Sequence, residues 1–344
     1  MNRRGVLYDV GRVLGLRWRP VFDPTVVRRE LEIIATDLHC TAVRICGRDL
    51  DRLHTAAVSA LELGLEVWFC PELWDSKPPA TLRYLTKAAA RAESLRRRWP
   101  DRMVLSVGTE ATMFTRGIIP GRTFPRRRKN AFVEIRAGRH DPPLAAFLES
   151  AARVARNDFG GPITYASLPF EHVDWSLFDI VGIDHYRDDR SAGHYRRILD
   201  RLAGHGKPVV VAEVGMRTYR GAESDGNLGL GVTDWPTVAL HRVPMIGRLV
   251  PPRLKGDHVR DEQLQARRVT EDLTILDEAG VDGAFVCQFV EPLSTYSEDP
   301  RRDLDMSSLS LVRALAEGRG TTYPDMTWEP KESFYAVARH YART

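Results

Sequence analysis

An α/β fold, a single (β/α)8 TIM barrel over residues 1–344, is predicted by three features of the sequence. Short apolar, β-branched runs alternate along the chain with segments of helical periodicity, which is typical of parallel strands joined by right-handed crossovers. The run KPVVVAEVG at residues 207–215 is almost continuously apolar, as expected for a strand buried on both faces. A second run of the same form, MVLSVGTEATM, occupies residues 103–113.

The strands and helices can be assigned in chain order from local signals. Asp23 is a suitable N-cap for the first helix, with Pro24 at its first position, and Gly64 is suited to end the second helix. The strands are predicted at residues 5–11, 41–46, 66–71, 103–113, 161–167, 179–186, 207–215 and 281–289, and helices at 23–37, 49–63, 81–99, 143–159, 192–204 and 332–341.

Residues 216–261, after the seventh strand, form the longer of two predicted insertions. The usual α/β connection has about two to six residues, so this segment needs another explanation. We expect an ordered lid over the barrel mouth, with Trp235 packed against the body. The Gly-rich and Pro-containing parts of this lid include Gly221, Gly226, Gly229, Gly231 and Pro244.

A second insertion follows the fourth strand, at residues 114–140. It shows no clear helical periodicity before Ala131. Four consecutive bases at 126–129 could form a rim for an anionic substrate, but a solvated loop is the more common explanation for such a run, and we expect a loop there.

Composition narrows the class of protein. The 344 residues are 43% hydrophobic, which is enough for one large core. The 50 basic residues are nearly balanced by 46 acidic ones, so nucleic-acid binding is not expected. The start, MNRRGVLYDVG, lacks the apolar segment of a signal peptide, and no apolar run is long enough for a membrane span. With four cysteines and no CxxC pair, we expect a cytoplasmic protein with reduced thiols.

Two of the predicted strands end in a glutamate. Strict alternation along the seventh strand would place Val209, Val211 and Glu213 on one face, and the fourth strand delivers Glu110 at the equivalent end. The chemistry of α/β barrels lies at this end of the strands. Two carboxylates about 5 Å apart are the acid/base and the nucleophile of a retaining glycosidase. Either glutamate taken alone could be a solvated strand end.

The order of several short motifs resembles a known superfamily. These motifs are VRI around Arg44, GTE ending at Glu110, DHY ending at Tyr186, PVVVAEVG around Glu213, and DEQLQARR followed by AGVDGAFVCQF. Together they look like the retaining (β/α)8 glycoside hydrolases with catalytic glutamates on strands four and seven, the clan of cellulases, β-mannanases and β-galactosidases. The resemblance spans residues 5–290 and does not select one family within the clan.

The resemblance implies roles for individual residues. Glu110 would be the general acid/base and Glu213 the nucleophile, Arg44 would pair with Glu213 and keep it ionised, and Tyr186 would hydrogen-bond to the nucleophile. Glu110 would need a raised pKa to donate a proton. His185 could touch a sugar hydroxyl or be a structural histidine. The full set of expected substrate-binding residues is Asp9, Arg44, Trp74, Thr109, Asp184, His185, Tyr186 and Gln288.

Two positions depart from the pattern of the clan. Thr109 stands where an Asn usually binds the sugar 2-hydroxyl, and a hydroxyl offers fewer hydrogen-bonding groups, so the configuration at C2 stays open. Cys287 and Gln288 stand where a Trp often forms the floor of the sugar site. Trp74 or Trp235 could supply that ring platform, although packing is the more common role of a Trp.

Two other functions remain open at this level. A metal-dependent barrel isomerase or hydrolase could bind a divalent ion through Glu110, Asp184, His185 and Glu213. A barrel of the same type could also bind sugars without hydrolysis or carry out transglycosylation. The prediction is a retaining glycosidase without metal or cofactor, which acts by double displacement on a small glycoside or oligosaccharide. The sugar, the linkage and the oligomeric state are not assigned by the sequence.

Overall fold

The computed structural model describes residues 1–225, 231–243, 245, 247 and 249–343. Its centre is a closed barrel of eight parallel strands, in which each strand pairs with its neighbours in the sequence and the last pairs with the first. The predicted (β/α)8 barrel is therefore confirmed. The strands are β1 Arg3–Gly11, β2 Ala42–Gly47, β3 Glu66–Pro71, β4 Met103–Thr109, β5 Ile163–Ser167, β6 Ile180–Asp184, β7 Val209–Val214 and β8 Gly283–Val286.

Helices surround the barrel, except between β5 and β6, where the short connection contains only the 3-10 turn Trp175–Leu177. The last helix is tied to the first strand, because the Tyr341 hydroxyl donates to the Gly5 carbonyl at 3.0 Å. No described helix combines the length and the apolar content that a membrane crossing requires. The helices that surround the barrel are α1 Pro24–Thr36, α2 Leu50–Glu62, α3 Pro78–Arg98, α4 Asp141–Asp158, α5 Tyr195–Ala203, α6 Glu262–Glu278 and α7 Glu332–Tyr341.

An irregularity in β7 sets the direction of its glutamate. Ile183 of β6 pairs with Val211, but the next residue, Asp184, pairs with Glu213, so β7 carries one extra residue at this point. Val209 and Val211, before this point, pack in the outer core between strands and helices. The extra residue reverses the alternation, so Glu213 lines the cavity at the barrel mouth. The prediction that these three residues share one face is wrong, because a bulge resets the alternation of side chains.

The insertion after β4 contains a helix, Phe124–Arg136, where the sequence analysis predicts a loop. Its pattern is obscured by Arg127, a basic residue that is fully buried. The Arg127 Nε donates to the Met113 carbonyl at 2.7 Å, and its Nη1 lies 2.8 Å from the Asp75 carboxylate. These partners compensate the burial of the charge, so an arginine occupies a position where an apolar residue is expected.

The insertion after β7, residues 216–261, is ordered in the parts that the structure describes. It contains a helix, Trp235–His241, and the Thr233 hydroxyl donates to the Ser307 hydroxyl at 3.0 Å in the segment that follows β8. The insertion thus packs against the C-terminal side of the barrel, and its function as a lid stays a prediction. Of the glycines and prolines named for the predicted lid, Gly226, Gly229 and Pro244 lie outside the described residues.

Gly215 allows β7 and β8 to approach each other beside the nucleophile candidate. A Cβ added to Gly215 would lie 2.6 Å from the Cys287 carbonyl oxygen. We expect Gly215→Ala to lower the free energy of unfolding in urea by about 1–3 kcal/mol, the usual cost of overpacking. The control is Gly193→Ala, where nothing lies within 4 Å of the added Cβ. Equal stability of the two variants would contradict this prediction.

Candidate active site

A cavity of about 590 Å³ opens at the C-terminal ends of the barrel strands. Its size lies within the usual range for small-molecule sites. Glu110 and Glu213, the two predicted catalytic residues, both line it. The other residues singled out by the sequence analysis that line the same cavity are Asp9, Trp74, Thr109, Asp184, Tyr186, Trp235, Cys287 and Gln288.

Glu213 is held at the end of β7 by three side chains. The Arg44 Nη1 and the Tyr186 hydroxyl each donate to one oxygen of Glu213 at 2.7 Å, and the Arg12 Nη1 lies 3.6 Å away. Burial by itself raises the pKa of Glu213, but the two guanidinium groups and the Tyr186 hydrogen bond outweigh it. The pKa therefore lies below the ordinary value of 4.5, and Glu213 is an anion at neutral pH.

Glu110 follows β4 directly and has the opposite electrostatic character. Its backbone has left-handed angles, φ 44° and ψ 47°, which end the strand and start the short helix Ala111–Phe114. The Glu110 N–H donates to the Ala166 carbonyl at 2.9 Å, so this unusual conformation is fixed by β5. Burial raises the pKa of Glu110 well above its ordinary value, and the negative charge of Glu213 raises it further. Glu110 therefore retains its proton at a pH where Glu213 is ionised.

Thr109 is committed to partners within the protein. Its Oγ1 accepts a hydrogen bond from the Arg44 Nη2 at 2.7 Å and donates to the Glu72 Oε1 at 3.1 Å. Burial raises the pKa of Glu72 to about 7, although Arg12 and Arg44 oppose the shift. The Glu72 Oε2 has no hydrogen-bond partner among the described residues. Glu72 was not predicted from the sequence, although its position directly after β3 places it at the end of the strands where the chemistry of α/β barrels lies.

Arg12 is the second residue that sequence reasoning missed. Its Nε donates to Asp9 at 2.9 Å, and its Nη2 donates to the Gln288 Oε1 at 3.3 Å. Its guanidinium also lies over the ring of Trp74, 5.3 Å from the centroid. These contacts hold Arg12 near Glu213. They come from Asp9, Trp74 and Gln288, three residues that were predicted to bind substrate.

Asp184 lies at the end of β6 and lines the cavity. Its Oδ1 is 3.9 Å from the Arg44 Nη1, and neither carboxylate oxygen has a hydrogen-bond partner among the described residues. Burial raises the pKa of Asp184 well above its ordinary value, and the charge of Glu213 adds to the shift. A buried carboxyl group with no partner is costly, so this residue is suited to receive polar groups of a ligand.

His185 is not among the residues that line the cavity. Its ring stacks on Tyr195 with the centroids 3.9 Å apart, and its Nε2 lies 3.2 Å from the Tyr195 carbonyl oxygen. Burial lowers the pKa of His185 to about 4, so the ring is neutral at neutral pH. This placement favours a structural histidine over a contact with a sugar hydroxyl.

Metal binding through Glu110, Asp184, His185 and Glu213 is not supported by the arrangement of these residues. Within the part of the chain that the structure describes, no group of three or more His, Cys, Asp or Glu side chains is placed to hold a metal ion. His185 in particular packs against Tyr195.

Solved structures with a similar fold include three glycoside hydrolases. A GH113 β-mannanase from Alicyclobacillus acidocaldarius is 16% identical, with a TM-score of 0.60 over 99% of this chain and 97% of that chain. A GH113 β-1,4-mannanase is 13% identical, with a TM-score of 0.60 over 100% and 99% of the two chains. A β-glucuronidase from Bacteroides uniformis is 14% identical, with a TM-score of 0.58, and the match covers 99% of this chain but 35% of that chain.

These matches show that the chain shares its (β/α)8 fold with the three enzymes, which is the fold that the sequence resemblance implies. No protein-family model and no curated protein matches the sequence. The fold by itself therefore does not define the reaction, because one barrel fold supports many chemistries.

Proposed function

We propose that the chain is a retaining glycoside hydrolase that acts on a small glycoside, with Glu213 as nucleophile and Glu110 as general acid and base. One observation carries the proposal. Two glutamates at the mouth of one barrel have pKa values shifted in opposite directions, so that one is an anion while the other retains a proton. Pairs of titratable groups with this asymmetry divide the acid and nucleophile roles between them.

The first step forms a covalent intermediate. The Glu213 carboxylate attacks the anomeric carbon, the glycosidic C–O bond breaks, and the proton of Glu110 goes to the leaving oxygen. The negative charge of Glu213 is lost when the ester forms, which removes one cause of the raised pKa of Glu110. Glu110 is then ready to take a proton from water, which attacks the same carbon, breaks the ester and restores Glu213.

The surrounding residues hold these two groups and bind the sugar. Arg44, which is fully buried, and Arg12 keep Glu213 ionised, and the Tyr186 hydrogen bond aligns it. In this proposal the free oxygens of Asp184 accept hydrogen bonds from sugar hydroxyls, because this carboxyl group lines the cavity and is buried without a hydrogen-bond partner among the described residues.

The test is a panel of 4-nitrophenyl glycosides that differ in sugar and anomeric configuration. We expect hydrolysis of at least one member, with a first-formed sugar of the same anomeric configuration as the substrate by NMR. A 2-deoxy-2-fluoro glycoside of the same sugar should label Glu213, as mass spectrometry of the peptides would detect. Inversion of configuration, or no turnover of any glycoside, would refute the proposal.

The pH profile of kcat/KM is expected to be bell-shaped. The acid limb reflects Glu213, whose pKa lies below 4.5, because activity is lost when the nucleophile is protonated. The alkaline limb reflects Glu110, whose pKa lies above 4.5, because activity is lost when the acid gives up its proton. Initial rates across pH 3–10 with the best substrate of the panel measure both limbs.

Glu72 provides the control for this assignment, because its pKa is also raised, to about 7. In Glu72→Gln the alkaline limb should persist, whereas in Glu110→Ala it should disappear for a substrate whose leaving group needs no proton. Loss of the limb in Glu72→Gln alone would transfer the acid role away from Glu110.

A further inference from the structure

The part of the cavity next to Glu110 is formed by the segments that follow β4 and β5. The first of these segments contributes Met113 and Phe114, and the second contributes residues 168–170, Leu-Pro-Phe. Glu110 is attached to both segments, since it directly precedes the short helix and its N–H is bonded to Ala166 of β5. If Glu110 protonates the leaving oxygen, the leaving group lies against these segments.

The segments after β4 and β5 form one wall of the cavity, and the helix Phe124–Arg136 adds a stripe of side chains to this wall. Five of its residues line the cavity at positions that fall on one helical face, because they are separated by four, three, one and three residues. Four of them are apolar, and Arg128 carries the single charge of the stripe. The five residues are Phe124, Arg128, Ala131, Phe132 and Ile135.

Phe132 is the most exposed aromatic ring of this wall. Its side chain is 71% exposed although it faces a cavity, so a ligand there would remove apolar surface from water. The neighbouring Val133 is 58% exposed and is not among the residues that line the cavity. Substitutions at Phe132 and Val133 can therefore show whether a change in activity comes from the cavity wall or only from the altered composition of the helix.

Phe114 is not a free platform for a second sugar. Phe114 is stacked between Trp74, at 4.1 Å between centroids, and Phe124, at 5.3 Å. Trp74 is covered further by the edge of Trp18, at 5.5 Å. Both faces of Phe114 and one face of Phe124 are therefore occupied by ring contacts within the protein.

The two halves of the cavity therefore differ in chemistry. The half around Glu213 offers charged and polar groups, including Arg12, Asp184 and Tyr186. On the wall beside Glu110, the described lining side chains after Thr109 and Glu110 are apolar except for Arg128. The hydroxyls of a second sugar would be desolvated against this wall without a matching set of polar side chains, which is unfavourable.

We propose that the leaving group of the substrate is an apolar aglycone and not a second sugar. The aglycone lies between the stripe of helix Phe124–Arg136 and residues 168–170, and it covers Phe132. This inference rests on the proposed glycosidase function and names the substrate class of the same site.

The test uses derivatives of the sugar that the nitrophenyl panel identifies. These are the 2-naphthyl glycoside, the phenyl glycoside, a disaccharide with the same anomeric bond, and the glycosyl fluoride, which has no aglycone. We expect kcat/KM for the 2-naphthyl glycoside to exceed that for the phenyl glycoside by about tenfold, although the two phenols are similar leaving groups. The disaccharide should be the poorest substrate of the four.

The variant Phe132→Ala should reduce the naphthyl-to-fluoride ratio of kcat/KM by about tenfold, which corresponds to ~1.4 kcal/mol of lost contact. The control Val133→Ala should leave that ratio unchanged. Because Phe132 is largely exposed, the variant is expected to fold, and its thermal unfolding curve verifies this.

The outcomes separate the two proposals. If the wild type hydrolyses the fluoride with retention but cleaves the disaccharide as fast as the naphthyl glycoside, the aglycone inference is wrong and the glycosidase function stands. If Phe132→Ala and Val133→Ala change the ratio equally, the wall has no role in recognition and the inference is also wrong. If neither the fluoride nor any glycoside reacts, both proposals fall together.

Discussion

Replacing Glu213 by glycine is expected to lower kcat for an aryl glycoside by roughly 10⁴- to 10⁶-fold, the scale observed when a catalytic nucleophile is removed. The physical reason is that no other described carboxylate combines a lowered pKa with a position in the cavity beside Glu110. The neighbouring carboxyl groups of Asp184 and Glu72 have raised pKa values. They are protonated more readily than Glu213 and cannot replace it as the nucleophile. Binding of the substrate should change much less than kcat.

Azide distinguishes the nucleophile from the acid. In Glu213→Gly an azide ion can enter the space left by the carboxylate and attack the anomeric carbon directly, which gives a glycosyl azide of inverted configuration. In Glu110→Ala the ester on Glu213 still forms with an activated leaving group, and azide then attacks it to give the retained configuration. The two products are separated by NMR. The same anomer from both variants, or full activity of Glu213→Gly, would contradict the assignment of roles.

Replacing Arg44 by methionine is expected to reduce the free energy of unfolding by about 3–5 kcal/mol, the usual cost of removing one partner of a buried ion pair. Arg44 is fully buried and donates to Glu213 and Thr109 at 2.7 Å. It also lies 3.9 Å from both Glu72 and Asp184. Methionine has a similar length and no charge, so the variant leaves three buried carboxyl groups without their shared cation.

The loss should depend on pH in a defined direction. The folded-state pKa of Glu213 is depressed, so its pairing contributes stability above the ordinary pKa of 4.5 that disappears as pH falls through the lowered value. The share of the stability gap between wild type and Arg44→Met that comes from Glu213 should therefore be full at neutral pH and should shrink below pH 4.5. Urea unfolding at pH 7 and at pH 3.5 measures the gap.

An exposed pair of the same chemistry provides the control. The Arg28 Nη1 lies 2.6 Å from Glu62, with both side chains largely exposed. Arg28→Met should cost no more than about 1 kcal/mol, since exposed ion pairs contribute little. If Arg44→Met were no more destabilising than Arg28→Met, or if its deficit grew at low pH, the account of Arg44 as the common counter-ion would be incorrect.

The fold and several residues at the barrel mouth could be predicted from the sequence. Apolar runs and helical periodicity are local properties, so the eight strands of the barrel were predicted in the order that the structure has. The strand ends follow from the same pattern, and this places Glu110 and Glu213 at one mouth. The contacts of Arg44 and Tyr186 with Glu213, implied by the resemblance, are present at 2.7 Å, while the catalytic roles remain predictions.

Other features were not predictable from local patterns. The extra residue in β7 turns Glu213 away from the face of Val211, and alternation within one strand carries no sign of it. The helix Phe124–Arg136 was hidden because Arg127 is buried through its bonds to distant backbone and carboxylate groups. His185 stood in a motif at the strand end, but its ring packs on Tyr195.

The sequence by itself determined which side chains stand at the carboxyl ends of the strands, because strand length and chain direction are encoded residue by residue. Only the tertiary structure decided which of these side chains form hydrogen bonds and ion pairs with one another. Arg44 and Glu213 are 169 positions apart, and Thr109 and Glu72 are 37 apart, so their contacts exist only in the closed barrel. The pKa values of Glu110 and Glu213 differ because of burial and neighbouring charges, which exist only in the folded molecule.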